Sequence, residues 1–226
     1  RQMSLAANKE ALHRQPSILD VVNARAEGNP ESPFLIDPVS GVVISSAEAR
    51  DRIRSIAANI ADKDIQKGDC VAFAFSNSIE SALTILGIMY GGYLAVAINL
   101  VAGDSTIAYV LEHSETKLII ADKEARQQVE PLAQETPLPA RILELDELDK
   151  SLVNNEALAE DGGDIDGLLM YTSGTTGRPK GVVLTHSNLI AGGNNTAIAH
   201  NIDAGDCGLR VLPPSPLNPV SAPPMG

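Results

Sequence analysis

Hydroxyl, glycine and cationic residues are concentrated in residues 172–181, which read TSGTTGRPKG. Apolar runs flank this segment at residues 168–171 and 182–184. Hydroxyl side chains donate hydrogen bonds, glycines let backbone N–H groups approach a ligand, and Lys180 adds a positive charge on a long stem. This combination suits a ligand with many anionic oxygens. The segment therefore predicts a loop that binds a phosphate chain.

Two other interpretations of the segment need comparison. The first is a surface turn between two strands of a hairpin, but a turn does not need so many hydroxyls and glycines together with a lysine. The second is the G-x-x-x-x-G-K-[ST] loop of NTPases. Here Lys180 follows Gly177 by three positions and precedes Gly181 rather than Ser or Thr. A strand-like run also follows where that loop needs a helix, so we reject the second interpretation.

We expect Gly174, Gly177 and Gly181 to provide positive φ angles.

The rest of the chain alternates between helix and strand patterns. Periodicity, caps and turn residues predict helices at residues 17–27, 45–63, 76–90, 105–114 and 123–133. They predict strands at residues 34–37, 42–44, 70–75, 94–98, 118–121 and 141–145. This order predicts an α/β fold with a doubly wound, largely parallel sheet. The acidic residues 146–166 are expected to form a helix and then a linker to the phosphate loop.

A charge-free window from Ser81 to Gly103 is long enough to cross a bilayer. Gly91 and Gly92 interrupt it, with dense apolar content before the pair and a strand-like pattern after it. A buried helix, a tight turn and a buried strand give the same window. We therefore expect no transmembrane segment.

Charge and cysteine content exclude several classes of function. The net charge of −12 and the lack of a basic run argue against a nucleic-acid partner. Cys70 and Cys207 stand alone, and the four histidines have no metal-ligand spacing, so we predict no disulfide framework and no metal site. The histidines are expected to be structural or on the surface. No signal-peptide pattern is found at the N-terminus, and we expect a cytoplasmic protein.

The segment YTSGTTGRPKG at residues 171–181, followed by THSNL, closely resembles the phosphate-binding signature of the AMP-forming, adenylate-forming superfamily. This superfamily contains acyl-CoA ligases, luciferases and the adenylation domains of peptide synthetases. Residues 68–100 and 111–122 also resemble family segments that form core. The resemblance implies that residues 1–212 are the first, incomplete part of the large N-terminal domain, with the C-terminal domain absent.

The resemblance also implies a reaction and roles for residues. A small-molecule carboxylic acid, of which fatty acids are one class, would react with ATP to give an acyl-adenylate, and coenzyme A would then take the acyl group. Mg²⁺ is implied by the triphosphate, although no acidic ligand for it is identifiable. Lys180 is the implied catalytic residue, a mobile cation over the phosphates, and Arg178 is expected to be solvated. The implied phosphate donors are Thr172, Ser173, Gly174, Thr175, Thr176 and Gly177.

The chain departs from the family pattern near its end. Residues 213–226 form a proline-rich tail, with Ser215 and Pro216 where family members carry an aromatic residue and a histidine. We expect this tail to be disordered or altered. The distal parts that the superfamily needs are missing, so we expect the fragment alone to be inactive. A non-catalytic phosphate-binding module and a domain that loads a carrier protein remain alternatives. An incomplete sheet would leave apolar surface exposed, which favours self-association into a homo-oligomer.

Overall fold

The computed structural model describes residues 16–137, 139–148, 162–172, 178–203 and 205–208. The helices in these ranges are α1 (Ile18–Gly28), α2 (Ser46–Ala61), α3 (Ile79–Tyr90), α4 (Asp104–His113), α5 (Lys123–Gln134) and α6 (His186–His200). The strands are β1 (Pro33–Ile36), β2 (Val43–Ser45), β3 (Cys70–Ala74), β4 (Leu94–Ala97), β5 (Leu118–Ala121), β6 (Arg141–Glu144), β7 (Asp166–Thr172) and β8 (Lys180–Thr185).

The main sheet has the strand order β6-β5-β3-β4-β7-β8. Its neighbours from β6 to β7 pair in parallel, and β8 pairs antiparallel with β7. Strands β1 and β2 form a separate antiparallel pair. The predicted α/β fold with a largely parallel sheet is confirmed.

Two apolar cores cover the two faces of this sheet. Alternate residues of β3 enter opposite cores, because successive side chains of a strand point to opposite faces. Phe73 packs in the core that contains residues of α1, α2, α3 and α6, whereas Ala72 packs with residues of α4 and α5. Helices therefore lie on both sides of the sheet, which is the doubly wound arrangement that the sequence predicted.

Local signals placed most element boundaries correctly. Ser17 and Ser45 cap α1 and α2, each accepting a hydrogen bond from a backbone N–H in the first turn. The helix predicted from residue 76 begins only at Ile79, because the Ser78 side chain caps it. Gly91 and Gly92 form the predicted turn between α3 and β4. No helix in the described ranges is long and apolar enough to span a membrane.

Two predicted features lie partly or wholly outside the described residues. Of the helix and linker expected between Asp146 and Asp166, the structure describes a short 3-10 turn at Leu145–Glu147 and then residues 162–166. The proline-rich tail at residues 213–226 lies outside the described part of the chain.

Strand β8 ends the order of the main sheet and carries two half-exposed valines, Val182 and Val183. An edge strand presents unpaired backbone groups, and exposed apolar side chains on it favour pairing with another chain. We predict that the 226-residue chain self-associates with rising concentration and that the double substitution Val182→Lys and Val183→Lys suppresses this association. Sedimentation velocity over a concentration series measures the effect.

The matched control for this edge is Val39→Lys, because Val39 is fully exposed in the turn between β1 and β2, away from the main sheet. The control should associate like the unmodified chain. A monodisperse monomer at every concentration would contradict the predicted role of the edge.

Helices α2 and α3 approach closely at Gly87. A Cβ atom on Gly87 would lie 2.5 Å from Ile56 Cγ2 and 2.7 Å from Ile56 Cβ. We expect Gly87→Ala to destabilise the fold by about 1–3 kcal/mol, because β-branched Ile56 cannot move aside cheaply. Gly192 lies in α6, and a methyl group added there would meet nothing within 4 Å, so Gly192→Ala should instead stabilise by about 1 kcal/mol. Urea unfolding of both variants measures these changes. Equal changes in the free energy of unfolding for the two variants would contradict the close packing of α2 against α3 at Gly87.

Candidate phosphate-binding site

The predicted phosphate loop connects the paired strands β7 and β8. Thr172 and Lys180 are register partners at the end of this pairing, and both residues are exposed. The Thr172 hydroxyl donates a weak hydrogen bond to the Lys180 carbonyl oxygen at 3.5 Å. The hairpin interpretation was therefore right about the topology, and the strand after Lys180 confirms the argument against an NTPase loop.

Five residues of the predicted site lie outside the described part of the chain. They are Ser173, Gly174, Thr175, Thr176 and Gly177. The structure thus brings together the two described members of the predicted set, Thr172 and Lys180, at the two ends of the connection.

The connection lies at the carboxyl edge of the parallel sheet. Strand β7 runs parallel to β4, with Leu168 and Leu169 opposite Ala95 and Val96, so Thr172 lies beyond the carboxyl end of this pairing. Open α/β sheets bind their ligands outside the carboxyl ends of the strands. The sheet therefore presents the hydroxyl and the lysine at the edge where a ligand is expected.

Gly181 has a different role from the one that the sequence suggested. It was expected to provide a positive φ angle, but it lies inside β8 opposite Tyr171 and has no positive φ. A Cβ atom at Gly181 would lie 3.1 Å from Leu169 Cδ1 and 3.5 Å from Tyr171 Cε1. The glycine is therefore useful because the Leu169 and Tyr171 side chains lie close against the backbone of β8.

An aromatic cluster contacts both ends of the connection. Tyr171, just before Thr172, shares a hydrogen bond with His113 Nδ1 at 2.8 Å. The Tyr109 ring lies edge-on to Tyr171 and tilted against His113. On the other side, the Arg178 guanidinium carbon lies 5.9 Å from the centre of the Tyr109 ring. Arg178 was expected to be solvated, and its side chain is exposed while it makes this aromatic contact.

Tyr109 and His113 were not among the residues predicted to lie near the site. They are four residues apart in α4 and so lie on one face of the helix, which was the available signal. Burial raises the pKa of Tyr171 to about 12, with the nearby Tyr109 adding to the effect. The Tyr171 phenol is consequently neutral at physiological pH.

The THSNL segment begins at the last residue of β8 and forms the start of α6, which is hydrogen-bonded to the first residue of α1. Thr185 and Asn188 form a reciprocal capping box at the start of α6. His186 is buried, and its Nδ1 accepts a hydrogen bond from the Ile18 N–H at 3.1 Å. His186 Nε2 therefore carries the proton, and it has no partner within the described ranges. These contacts support a structural role for His186, one of the two roles predicted for the histidines.

The described residues contain no group of three or more His, Cys, Asp or Glu side chains that could hold a metal ion. They therefore do not fit a magnesium site built from protein ligands alone. Of the two cysteines, Cys70 is part-buried at the start of β3, and burial, followed by the charge of Asp69, raises its pKa to about 11. Its thiol is protonated and unsuited to nucleophilic chemistry.

Comparisons with known proteins agree with this geometry. The model of the family described as AMP-binding enzyme matches residues 22–218. The chain is 30% identical over 210 residues to the sulfoacetate–CoA ligase of Cupriavidus necator, covering 88% of this chain and 41% of that protein. It is also 30% identical over 172 residues to surfactin synthase subunit 3 of Bacillus subtilis, covering 75% of this chain and 13% of that protein.

A solved structure has the same architecture. The inhibitor-bound N-terminal domain of FACL13 from Mycobacterium tuberculosis aligns with a TM-score of 0.72 and 27% sequence identity. The alignment covers 80% of this chain and 48% of that one. The chain thus spans about two fifths of the sulfoacetate–CoA ligase and about half of the FACL13 domain.

The buried His186 predicts a dependence of stability on pH. Burial lowers its pKa from 6.5 to about 4, so below pH 6.5 the unfolded chain binds a proton that the folded chain does not. Stability should fall as the pH drops from 6.5 towards 4, by at most about 3 kcal/mol from this group. Urea unfolding of the 226-residue chain and of His186→Gln across this range isolates the contribution, because glutamine cannot titrate but offers an acceptor to Ile18.

The matched control for this titration is His200→Gln, at the exposed last residue of the same helix. It should keep the pH dependence of the unmodified chain. Parallel stability profiles for the unmodified chain and His186→Gln would contradict the assignment of a neutral, buried His186.

Proposed function

We propose, because this chain belongs to the AMP-binding enzyme family, that it is the N-terminal portion of an ATP-dependent, AMP-forming acid–thiol ligase. Residues 1–212 would form the first part of the nucleotide-binding domain, and residues 213–226 a proline-rich tail. The carboxylic acid would be a small molecule, with fatty acids among the candidates, and the reaction would take place in the cytoplasm.

The proposed reaction has two steps. A carboxylate oxygen attacks the α-phosphorus of ATP, and the bond to the β-phosphate oxygen breaks to release pyrophosphate. A thiolate sulfur then attacks the acyl carbon of the adenylate, and AMP leaves with the electrons of the broken carbon–oxygen bond. Negative charge develops on the pyrophosphate in the first step. Preorganised donors and a cation directed at these oxygens stabilise that charge as it forms.

The observation that carries the proposal is the pairing of Thr172 with Lys180 at the carboxyl edge of the sheet. The Thr172 hydroxyl and the Lys180 ammonium are exposed at the two ends of one connection, so both can reach a phosphate chain held there. We propose Lys180 as the catalytic cation. The further phosphate donors of this proposal are Ser173, Gly174, Thr175, Thr176 and Gly177.

Mg²⁺ would be bound mainly through the phosphate oxygens, because the described residues lack a cluster of protein ligands for it. When bound, the ion would neutralise charge on the triphosphate. The Thr172 hydroxyl would still orient the phosphates, and the Lys180 charge would attract them.

The thiol acceptor has two candidates. Similarity to the sulfoacetate–CoA ligase favours coenzyme A, and similarity to a surfactin synthase subunit favours the phosphopantetheine of a carrier protein. Supplying the full-length protein with an accepted acid, ATP and each thiol in turn distinguishes the two, because mass spectrometry identifies the thioester that forms. We propose coenzyme A as the acceptor, and a product on the carrier alone would contradict this choice.

Pyrophosphate exchange into ATP, measured with a panel of carboxylic acids, tests the proposed activity. We expect exchange by the full-length protein, none by the 226-residue chain, and a loss of roughly 100-fold or more in full-length Lys180→Ala, since removal of one charge-stabilising group has an effect of that size. Lys67→Ala is the matched control, because Lys67 is exposed in the turn that precedes β3, at the opposite edge of the sheet. The control should retain full exchange.

The alternative of a non-catalytic phosphate-binding module makes a different prediction for the same experiment. A folded full-length protein that binds ATP without exchange for any acid would contradict the ligase proposal and favour the module. Exchange by the 226-residue chain would contradict the proposal that distal parts are indispensable.

A further inference from the structure

We infer that Tyr109 and Arg178 form a positioning pair that fixes the far end of the proposed phosphate loop, while His113 and Tyr171 fix its near end. The inference rests on the proposed function, since it assigns these residues to the ATP step of that reaction. All four residues lie in the described part of the chain. We call this set the α4 clamp, because Tyr109 and His113 both belong to α4.

The near end is held by a hydrogen bond and by ring contacts. Tyr171 is buried, and its hydroxyl lies 2.8 Å from His113 Nδ1. The Tyr109 ring packs edge-on against the Tyr171 ring, with centroids 6.4 Å apart. A buried phenol needs a hydrogen-bond partner, and His113 provides one. The last turns of α4 therefore set the position of the residue that precedes Thr172.

The far end is held by a cation–π contact. The Arg178 guanidinium lies over the Tyr109 ring, 5.9 Å from its centroid, and Arg178 precedes Lys180 by two residues. Between them, Pro179 fixes one φ angle, which limits how far Lys180 can move independently of Arg178. The contact is exposed, as Arg178 itself is, and Tyr109 is only partly buried. Tyr109 is thus the residue shared by the two ends of the clamp.

This arrangement lowers the entropic cost of ligand binding. Thr172 and Lys180 engage the phosphates only when both residues lie in the binding-competent arrangement, and ligand binding selects that arrangement. The apparent dissociation constant rises in proportion as the competent fraction falls. By holding the residues on both sides of the connection against α4, the clamp raises that fraction. Arg178 acts through Tyr109 and is a positioning residue rather than a direct phosphate ligand.

A double-mutant cycle on the full-length protein tests this pair. We expect Tyr109→Leu and Arg178→Met each to raise the KM for ATP by about two- to five-fold, the loss that corresponds to one exposed cation–π contact, with kcat nearly unchanged. The double variant should be no worse than either single variant, because both remove the same contact. Tyr109→Phe keeps the aromatic face, and Arg178→Lys keeps the cation, so both should remain close to the unmodified protein.

Direct contact between Arg178 and the phosphates would give another pattern and overturn the inference. In that case Arg178→Met would raise the KM for ATP while Tyr109→Leu would not, or the two effects would multiply in the double variant. A defect in Tyr109→Phe equal to that in Tyr109→Leu would also overturn it, because the phenylalanine ring preserves the contact.

Hydrogen–deuterium exchange on the nucleotide-free 226-residue chain separates failure of this inference from failure of the proposed function. The amides of residues 178 and 180–182 should exchange faster in Tyr109→Leu and in Arg178→Met, but not in Tyr109→Phe. This result is expected even if the full-length protein catalyses no pyrophosphate exchange, in which case only the proposed function fails. Unchanged exchange at residues 178 and 180–182 in all variants would overturn the clamp.

Discussion

The parallel pairing of β7 with β4 is the constraint on which the candidate site depends. Leu168 and Leu169 are buried opposite Ala95 and Val96, so this part of β7 cannot shift without leaving buried backbone groups unpaired. The same register sends Leu168 into one core and Leu169 into the other. A slip of one residue would exchange these faces, which fixes the point where Thr172 leaves the sheet.

Burial and charge are divided sharply around this point. Tyr171 is buried just before Thr172, and burial raises the pKa of its phenol, which stays neutral. The exposed cations, Arg178 and Lys180, lie on the connection side. The chain carries a net charge of −12, so these cations provide a local attraction for an anionic ligand that the protein as a whole does not. A buried, neutral tyrosine thus lies next to a small cationic surface.

Sequence patterns predicted most elements other than α6, because caps, periodicity and glycine turns are local signals. Ser17, Ser45 and the Gly91–Gly92 turn marked boundaries that the structure confirms. The strand order was not predictable from these signals, since it depends on which buried faces pack together across the whole chain. The position of β7 beside β4 and the antiparallel direction of β8 are features of this kind.

The candidate site was likewise predictable where it depends on local sequence and not where it depends on packing. Residue types and spacing identified Thr172 and Lys180 as candidates, and the antiparallel register places them opposite each other. Gly181 was assigned the wrong physical role, because its close approach to Leu169 and Tyr171 exists only in the folded hairpin. The contact between Arg178 and Tyr109 could not be predicted from the sequence either, because the two residues are far apart in the chain and meet only through packing of α4 on the sheet.

A crystal structure of the full-length protein with a non-hydrolysable ATP analogue tests the central claim most directly. The expected result is that the β- and γ-phosphates lie within hydrogen-bond distance of the Thr172 hydroxyl and within ion-pair distance of Lys180 Nζ, at the carboxyl edge of the sheet. An analogue bound with its phosphates away from the connection between β7 and β8 would contradict the assignment of this connection as the phosphate-binding loop.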